Sequence, residues 1–209
     1  MGIWAEQVLP RFTEKAMARD DITALRTRAV AGLAGEIVEL GFGSGLNVPH
    51  YPADVKIVHA IEPSELAKTL AGDRVAASPV DVRFTGLEGE ALPLDDESVD
   101  GALSTFTLCT IPDVRRALGE VRRVLRPGGA FHFAEHGLSP ERDVAKWQAR
   151  VNPVQKKLFG GCHVTRHINE LILDAGFDVE SVATEYLPGP SVAKPWGYVY
   201  VGIARNAPV

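Results

Sequence analysis

Short apolar runs broken by glycine, proline and charged clusters recur along this chain. Seven have the length of strands: Glu36–Leu40, Lys56–Ile61, Val80–Phe84, Val99–Thr105, Ala130–Glu135, Phe177–Thr184 and Tyr198–Ala204. Most are continuously apolar rather than alternating, as strands covered on both faces should be. Between them the period changes. Val114, Ala117, Leu118 and Val121 fall at i, i+3, i+4 and i+7, one stripe of a helix that Asp113 can cap and Arg126–Gly129 ("RPGG") can stop. A second stripe at Ile168, Leu171, Ile172 and Ala175 closes on Gly176. Ser139-Pro140 offers a cap followed by a first-turn proline, opening a helix to about Lys157. Trp4, Val8, Leu9 and Phe12 give the N-terminal stretch the apolar spacing of an amphipathic helix. Strands alternating with helices predict an α/β architecture around a mostly parallel sheet.

Size and charge narrow the choices. A chain of 209 residues, 45% hydrophobic, is long enough for one sizeable core, and no repeat or linker divides it. A net charge of -5 gives no general attraction to nucleic acid or anionic membranes. No apolar run approaches the ~20 residues of a membrane span. Glu6, Glu14 and Asp20 make the first twenty residues unlike a secretory signal. These features lead us to expect a cytoplasmic monomer or small homo-oligomer acting on a small molecule. Cys109 and Cys162 are too few and too far apart in sequence for a disulfide framework or a metal-ligand spacing, so no metal is expected.

The chemistry concentrates after the first strand, in "VELGFGSGLN". In a doubly wound sheet, ligands bind beyond the strand ends, where the strand order reverses. A triphosphate loop would need lysine and a hydroxyl residue after the glycines, but Gly45 is followed by Leu46 and Asn47. The dinucleotide fingerprint would need glycine or alanine where Leu46 stands, which argues against a nicotinamide-dependent oxidoreductase. What remains is a loop that lets a ligand lie against backbone at Gly41, Gly43 and Gly45. The second strand then ends in Glu62, a carboxylate placed to accept from vicinal ribose hydroxyls, with a solvated strand-end residue as the plain alternative. Glu39 offers a second carboxylate, which either joins the site or pairs locally.

"VELGFGSGLN", "AIEPS", "GEALPLDDESVDGALSTFTLCTIPD" and "EVRRVLRPGGAFHFAEHG" resemble, in order and spacing, the motifs of class I S-adenosylmethionine-dependent methyltransferases. "TFTLCTIPD" and "GGCHVTRHINELILDAGF" resemble more narrowly the methyltransferase-like alkyl-thiol S-methyltransferases. The ubiquinone/menaquinone C-methyltransferases are a more distant likeness. The resemblance implies a Rossmann-like seven-stranded sheet with the last strand antiparallel, formed by a single domain over 1–209. In it, 1–33 would be a helical lid, 34–137 the cofactor-binding core, and 138–209 the acceptor-side helices and last two strands. S-adenosylmethionine would be the cofactor, held by Glu39, the three glycines, Asn47, Glu62 and Pro63. Glu88 and Gly89 would meet its adenine, and the carbonyls of Ser104 and Thr105 its ammonium group.

Methyl transfer from a sulfonium is an in-line displacement that draws mainly on proximity and alignment. A thiol acceptor, with a pKa near 8.5, needs the least help to ionise, whereas a phenol, quinol or carbon acceptor needs a base more. The candidate bases are His136, at the end of the fifth strand, and His163 in "GCHVTR". His50, His59, His132 and His167 are expected to be strand or surface histidines. Phe12, Cys109, Arg166 and Trp196 are the candidates for the acceptor side, with Cys109 and Cys162 otherwise packing as small buried apolar groups. A thiol is the favoured acceptor. O- or C-methylation, or a cofactor-binding module without turnover, are the competing outcomes.

Overall fold

A computed structural model describes residues 7–207. The elements are α1 (Leu9–Met17), α2 (Asp20–Val30), β1 (Gly35–Leu40), β2 (Val55–Ile61), α3 (Glu65–Ala76), β3 (Asp81–Gly86), β4 (Val99–Thr105) and α4 (Val114–Val124). They continue with β5 (Leu125–His136), α5 (Arg142–Leu158), α6 (Ile168–Asp174), β6 (Phe177–Tyr186), α7 (Lys194–Gly197) and β7 (Tyr198–Asn206). One seven-stranded sheet runs in the order β3-β2-β1-β4-β5-β7-β6. Strands β1 to β5 pair in parallel, while β7 is antiparallel to both β5 and β6. The strand order reverses between β1 and β4, so their C-terminal ends open a crevice.

Continuous apolar strands become a sheet covered twice. Along β1, Val38 and Leu40 face one core with Ala102, Phe131 and Phe133, under α4 and α6. Ile37 faces the other core with Val58, Ala60 and Leu103, under α2 and α3. The α4 stripe is buried as its spacing requires, at Val114, Ala117, Leu118 and Val121. Each such valine or leucine side chain contributes roughly 1.5–3 kcal/mol by leaving water. The Asp113 cap forms, its carboxylate accepting from Arg116 N at 3.1 Å. Gly176 takes φ +85 after α6, a left-handed conformation that glycine adopts without steric cost.

Two boundaries differ from the sequence expectation. Helix α4 ends at Val124, and Leu125 already pairs with Val99 before the register shifts ahead of Gly101–Ala130. The "RPGG" segment is therefore an irregularity at the start of β5 rather than a separate loop. Ser139 does not cap α5, whose N-cap is Glu141. Its hydroxyl instead accepts from Glu141 N at 3.0 Å and pairs with the Tyr186 hydroxyl at 2.6 Å. No helix among the described residues is long and apolar enough to cross a membrane.

Candidate active site

A cavity of about 1710 Å³ lies at the ends of β1, β2, β4 and β5. Its floor begins with the glycine loop. Gly41 has φ +63, and a Cβ there would stand 2.2 Å from Thr107 Oγ1. Gly43 has φ +59, but a Cβ there would meet nothing nearer than the Gly41 carbonyl at 3.8 Å. Gly43 borders the cavity, so the volume that its missing side chain leaves is open to a ligand. Gly45 serves packing instead: its Cβ would press Ala71, Phe42 and Val48 at 3.3 Å.

Glu62 fastens this loop to the end of β2. Its Oε2 accepts from Gly43 N at 2.8 Å and its Oε1 from Ser64 N at 2.7 Å. Burial raises its pKa, and the two backbone donors oppose that shift. Pro63, Glu88 and Gly89 line the same end of the cavity. A Cβ on Gly89 would lie 2.8 Å from Leu40 Cδ2, so the backbone there sits tight against the end of β1.

Behind the loop is a buried polar network. Glu39 is 1% exposed and accepts from Asn47 Nδ2 at 2.8 Å and from the Tyr51 hydroxyl. Desolvation raises its pKa to about 7 against those hydrogen bonds. Asn47 Nδ2 also donates to Thr105 Oγ1 at 2.9 Å. Arg26 Nη1 donates to Asn47 Oδ1 and Thr105 Oγ1, both at 2.9 Å. Burial lowers the Arg26 pKa to about 10, with Glu39 pulling the other way. Arg26 was not singled out in the sequence, because nothing local to α2 distinguishes it from a surface arginine. It borders the cavity, and its buried Nε has no partner among the described residues.

Thr105 borders the cavity; Ser104 is fully buried and gives its hydroxyl to Glu135 Oε1 at 2.7 Å. The same carboxylate oxygen accepts from Thr107 N at 3.0 Å, which fixes the chain leaving β4. There Phe106 takes φ +56, a conformation that costs a non-glycine residue roughly 1–2 kcal/mol. Its ring lies 4.8 Å from that of His136.

The acceptor-side candidates divide. Phe12, Cys109, His136 and Trp196 line the cavity, with Val151 and Val154 between them. Trp196 Nε1 donates to Gln155 Oε1 at 3.0 Å, which fixes the wall made by α5 and α7. His163 and Arg166 do not reach the cavity. His163 N donates to the Cys109 carbonyl at 2.7 Å. Arg166 clamps the chain leaving β4, donating to the carbonyls of Leu108 and, at 2.7 Å, Ile111. Arg166 thus shapes the wall from behind.

The two cysteines, distant in sequence, are adjacent in space. Cys109 and Cys162 are free thiols whose sulfurs share a hydrogen bond of 3.4 Å. The His136 imidazole lies beside the pair, and the ligand atoms of all three residues lie within 4.8 Å of one another. The Cys162 thiol is pulled below its ordinary range, first by the hydrogen bond with Cys109 and then by His136. That shared bond and then burial push Cys109 up.

The N-terminal helix covers the cavity from outside. Trp4 lies outside the described residues. Helix α1 buries none of its residues, and Phe12, half exposed, faces Phe159 with ring centroids 6.0 Å apart. Arg74 ties this helix to the floor: Nη2 donates to Glu14 at 3.0 Å and Nη1 to the Ser44 carbonyl at 2.9 Å.

Comparisons with known proteins agree with this fold. Residues 38–133 match the model of the methyltransferase domain family. The chain is 34% identical over 175 residues to thiol S-methyltransferase TMT1B of Rattus norvegicus, covering 80% of this chain and 69% of that protein. It is 30% identical over 204 residues to human TMT1B, covering 93% of this chain and 81% of the relative. In fold it is similar to an S-adenosylmethionine-dependent methyltransferase of Thermotoga maritima, with TM-score 0.69 at 23% identity over 98% of this chain and 100% of that one. The open volume at Gly43, the oriented Glu62 carboxylate and the cationic Arg26 fit a ligand with a ribose and a free carboxylate. The chain belongs to the class I S-adenosylmethionine-dependent methyltransferases, and S-adenosylmethionine is its cofactor.

Proposed function

We propose that this enzyme methylates the sulfur of a small, fairly apolar thiol. The observation that carries the reading is the lining of the cavity. The strand ends contribute the glycine loop and Glu62, and α2 contributes Arg26, while α1, the α5 segment and α7 contribute Phe12, Val151, Val154, Leu158, Phe159 and Trp196, with Arg150 and Gln155 among them. Such a wall favours an apolar acceptor body. The relatives named thiol S-methyltransferases support sulfur as the reacting atom.

S-adenosylmethionine supplies an electrophilic methyl group on a sulfonium. The chain's own residues bind and orient. Glu62 would take the ribose hydroxyls while it keeps Gly43 in place, and Glu88 and Gly89 would border the adenine. Arg26, presented by Asn47 and Thr105, would meet the carboxylate, and the Thr105 carbonyl the ammonium group. Helix α1 and Trp196 would exclude water from the apolar end. His136 is the candidate that reaches the acceptor. A cytoplasmic setting suits two free cysteines, since a reducing compartment keeps such pairs as thiols.

The test is a methyl-donor consumption assay with thiols of differing pKa beside a phenol, a quinol and an amine of similar size. Thiols should be methylated, and at fixed pH the rate should depend on the acceptor's own pKa. If the phenol or quinol turns over and no thiol does, the acceptor assignment is wrong.

A further inference from the structure

We propose that Cys109, Cys162 and His136 form a binding site for a soft divalent cation such as zinc, with a fourth position open to the acceptor's sulfur. The second half of this inference rests on the thiol reading above; the first half does not.

Three separate segments deliver the ligands: the chain leaving β4, the end of β5, and the turn after α5. A buried cysteine that only packs needs neither a second thiol nor an imidazole beside it. Here three ligand atoms converge within 4.8 Å, and all three residues border the cavity. A tetrahedral centre with metal–sulfur bonds of about 2.3 Å separates two thiolates by roughly 3.8 Å. The observed 3.4 Å lies close to that, and far from the ~2.05 Å of a disulfide.

The surroundings hold the ligands in place. The Cys109 carbonyl accepts from His163 N at 2.7 Å, and Cys162 N donates to the Phe159 carbonyl at 3.0 Å. The Phe106 ring, held at its left-handed φ, packs against the His136 imidazole. Among the described residues no carboxylate joins the group: Glu135, next in sequence to His136, turns to Ser104 and Thr107. Two sulfurs and one imidazole select zinc or a similarly soft ion over magnesium or calcium. Three protein ligands with one open position is the arrangement of catalytic rather than structural zinc.

An acceptor thiol entering that position would exchange its S–H proton for the cation and release the proton to solvent. It would stay a thiolate at neutral pH without a dedicated base. The thioether product is neutral and a weaker ligand, so it would leave. His136 then acts as a ligand rather than a base.

The experiment titrates the reduced, chelator-treated full chain with cobalt(II) and follows the thiolate-to-cobalt charge-transfer band. One cobalt per chain should bind. Cys109→Ser and Cys162→Ser should each weaken binding more than about a hundredfold, beyond the ~10–100-fold that losing an outer-shell partner costs. Affinity for S-adenosylhomocysteine should stay unchanged in both, which shows that they fold. His136→Ala should weaken cobalt binding and keep the sulfur band. Adding an apolar thiol should shift the cobalt d–d spectrum, whereas a phenol of equal size should not. Absence of the band, or a band that survives both cysteine substitutions unweakened, overturns the site. Cobalt bound but blind to thiols overturns the open position. If cobalt binds as described and no thiol is methylated, the acceptor reading fails while the metal site stands. If chelator-treated enzyme methylates thiols at full rate, the metal's role fails while the acceptor reading stands.

Discussion

Gly43 N donates to Glu62 Oε2 across 2.8 Å, joining the glycine loop to the end of the neighbouring strand. The carboxylate expected to hold the ribose is therefore also the anchor of the loop beneath it. Replacing Glu62 by Ala should raise the dissociation constant of S-adenosylhomocysteine at least tenfold, since charged hydrogen bonds are worth roughly 1.5–3 kcal/mol each. Glu62→Gln, which keeps acceptor capacity on one atom, should lose less. Calorimetric titration of both variants checks this, and parental affinity in Glu62→Ala would remove the assignment.

Gly41 and Gly43 should fail in different ways. Gly43→Val places its side chain in open cavity space, so cofactor binding should vanish with a modest loss of melting temperature from the positive φ. Gly41→Ala collides with Thr107 and should destabilise the fold itself. Thermal unfolding of the two variants beside ligand titration separates the outcomes.

Glu39 should make stability depend on pH. Its ordinary value is 4.5 and its folded value about 7. Below about pH 4.5 it is neutral in both states, and its neutral form avoids the cost of burying a charge. As pH rises toward 7 the unfolded chain ionises first, so stability falls through that window. Burial raises Glu62 and Glu135 in the same direction, so the whole slope will not belong to one residue. Glu39→Gln should remove its share, narrowing the fall in melting temperature between pH 4.5 and 7.5. A slope identical to the parent's would contradict this.

Arg26→Met should cost cofactor affinity and stability together. It removes a buried cation that borders the cavity and leaves Asn47 Oδ1 without the Arg26 donor. Lys, which keeps the charge and loses the fork, should recover binding only in part. Titration with S-adenosylhomocysteine and with an analogue lacking the carboxylate checks the role, because the parent's preference between them should shrink in Arg26→Met.

What the sequence showed followed the reach of local rules. All seven strands were visible: the central ones are continuous apolar runs because both faces are covered, while the edge strands β3 and β6 are largely exposed and more mixed in composition. The loop's glycines and Glu62 lie within one strand–loop–strand unit, so spacing alone related them. Arg26 is 79 positions from Thr105, and Cys109 is 53 from Cys162; only the sheet order brings each pair together. Gly45 looked equivalent to its neighbours, yet its space is filled by Ala71 from α3. Arg166 and His163 sat in a motif beside the acceptor region, but neither lines the cavity: the Arg166 side chain and the His163 backbone N–H are taken up by carbonyls of the chain leaving β4.

Arg74 works as a latch with two catches. One nitrogen grips Glu14 on the covering helix and the other grips the Ser44 carbonyl in the floor. A helix that buries no residue fully and is fastened by a partly exposed ion pair should lift more easily than a core element, and salt should weaken that ion pair. Lifting it also frees Arg74 from one side, leaving its hold on the loop less constrained. If the helix is the lid of the proposed function, entry of the acceptor and retention of the spent cofactor share a hinge pin. We expect product exit to quicken with ionic strength in the parent and to lose that dependence in Glu14→Gln, which stopped-flow release of S-adenosylhomocysteine would measure.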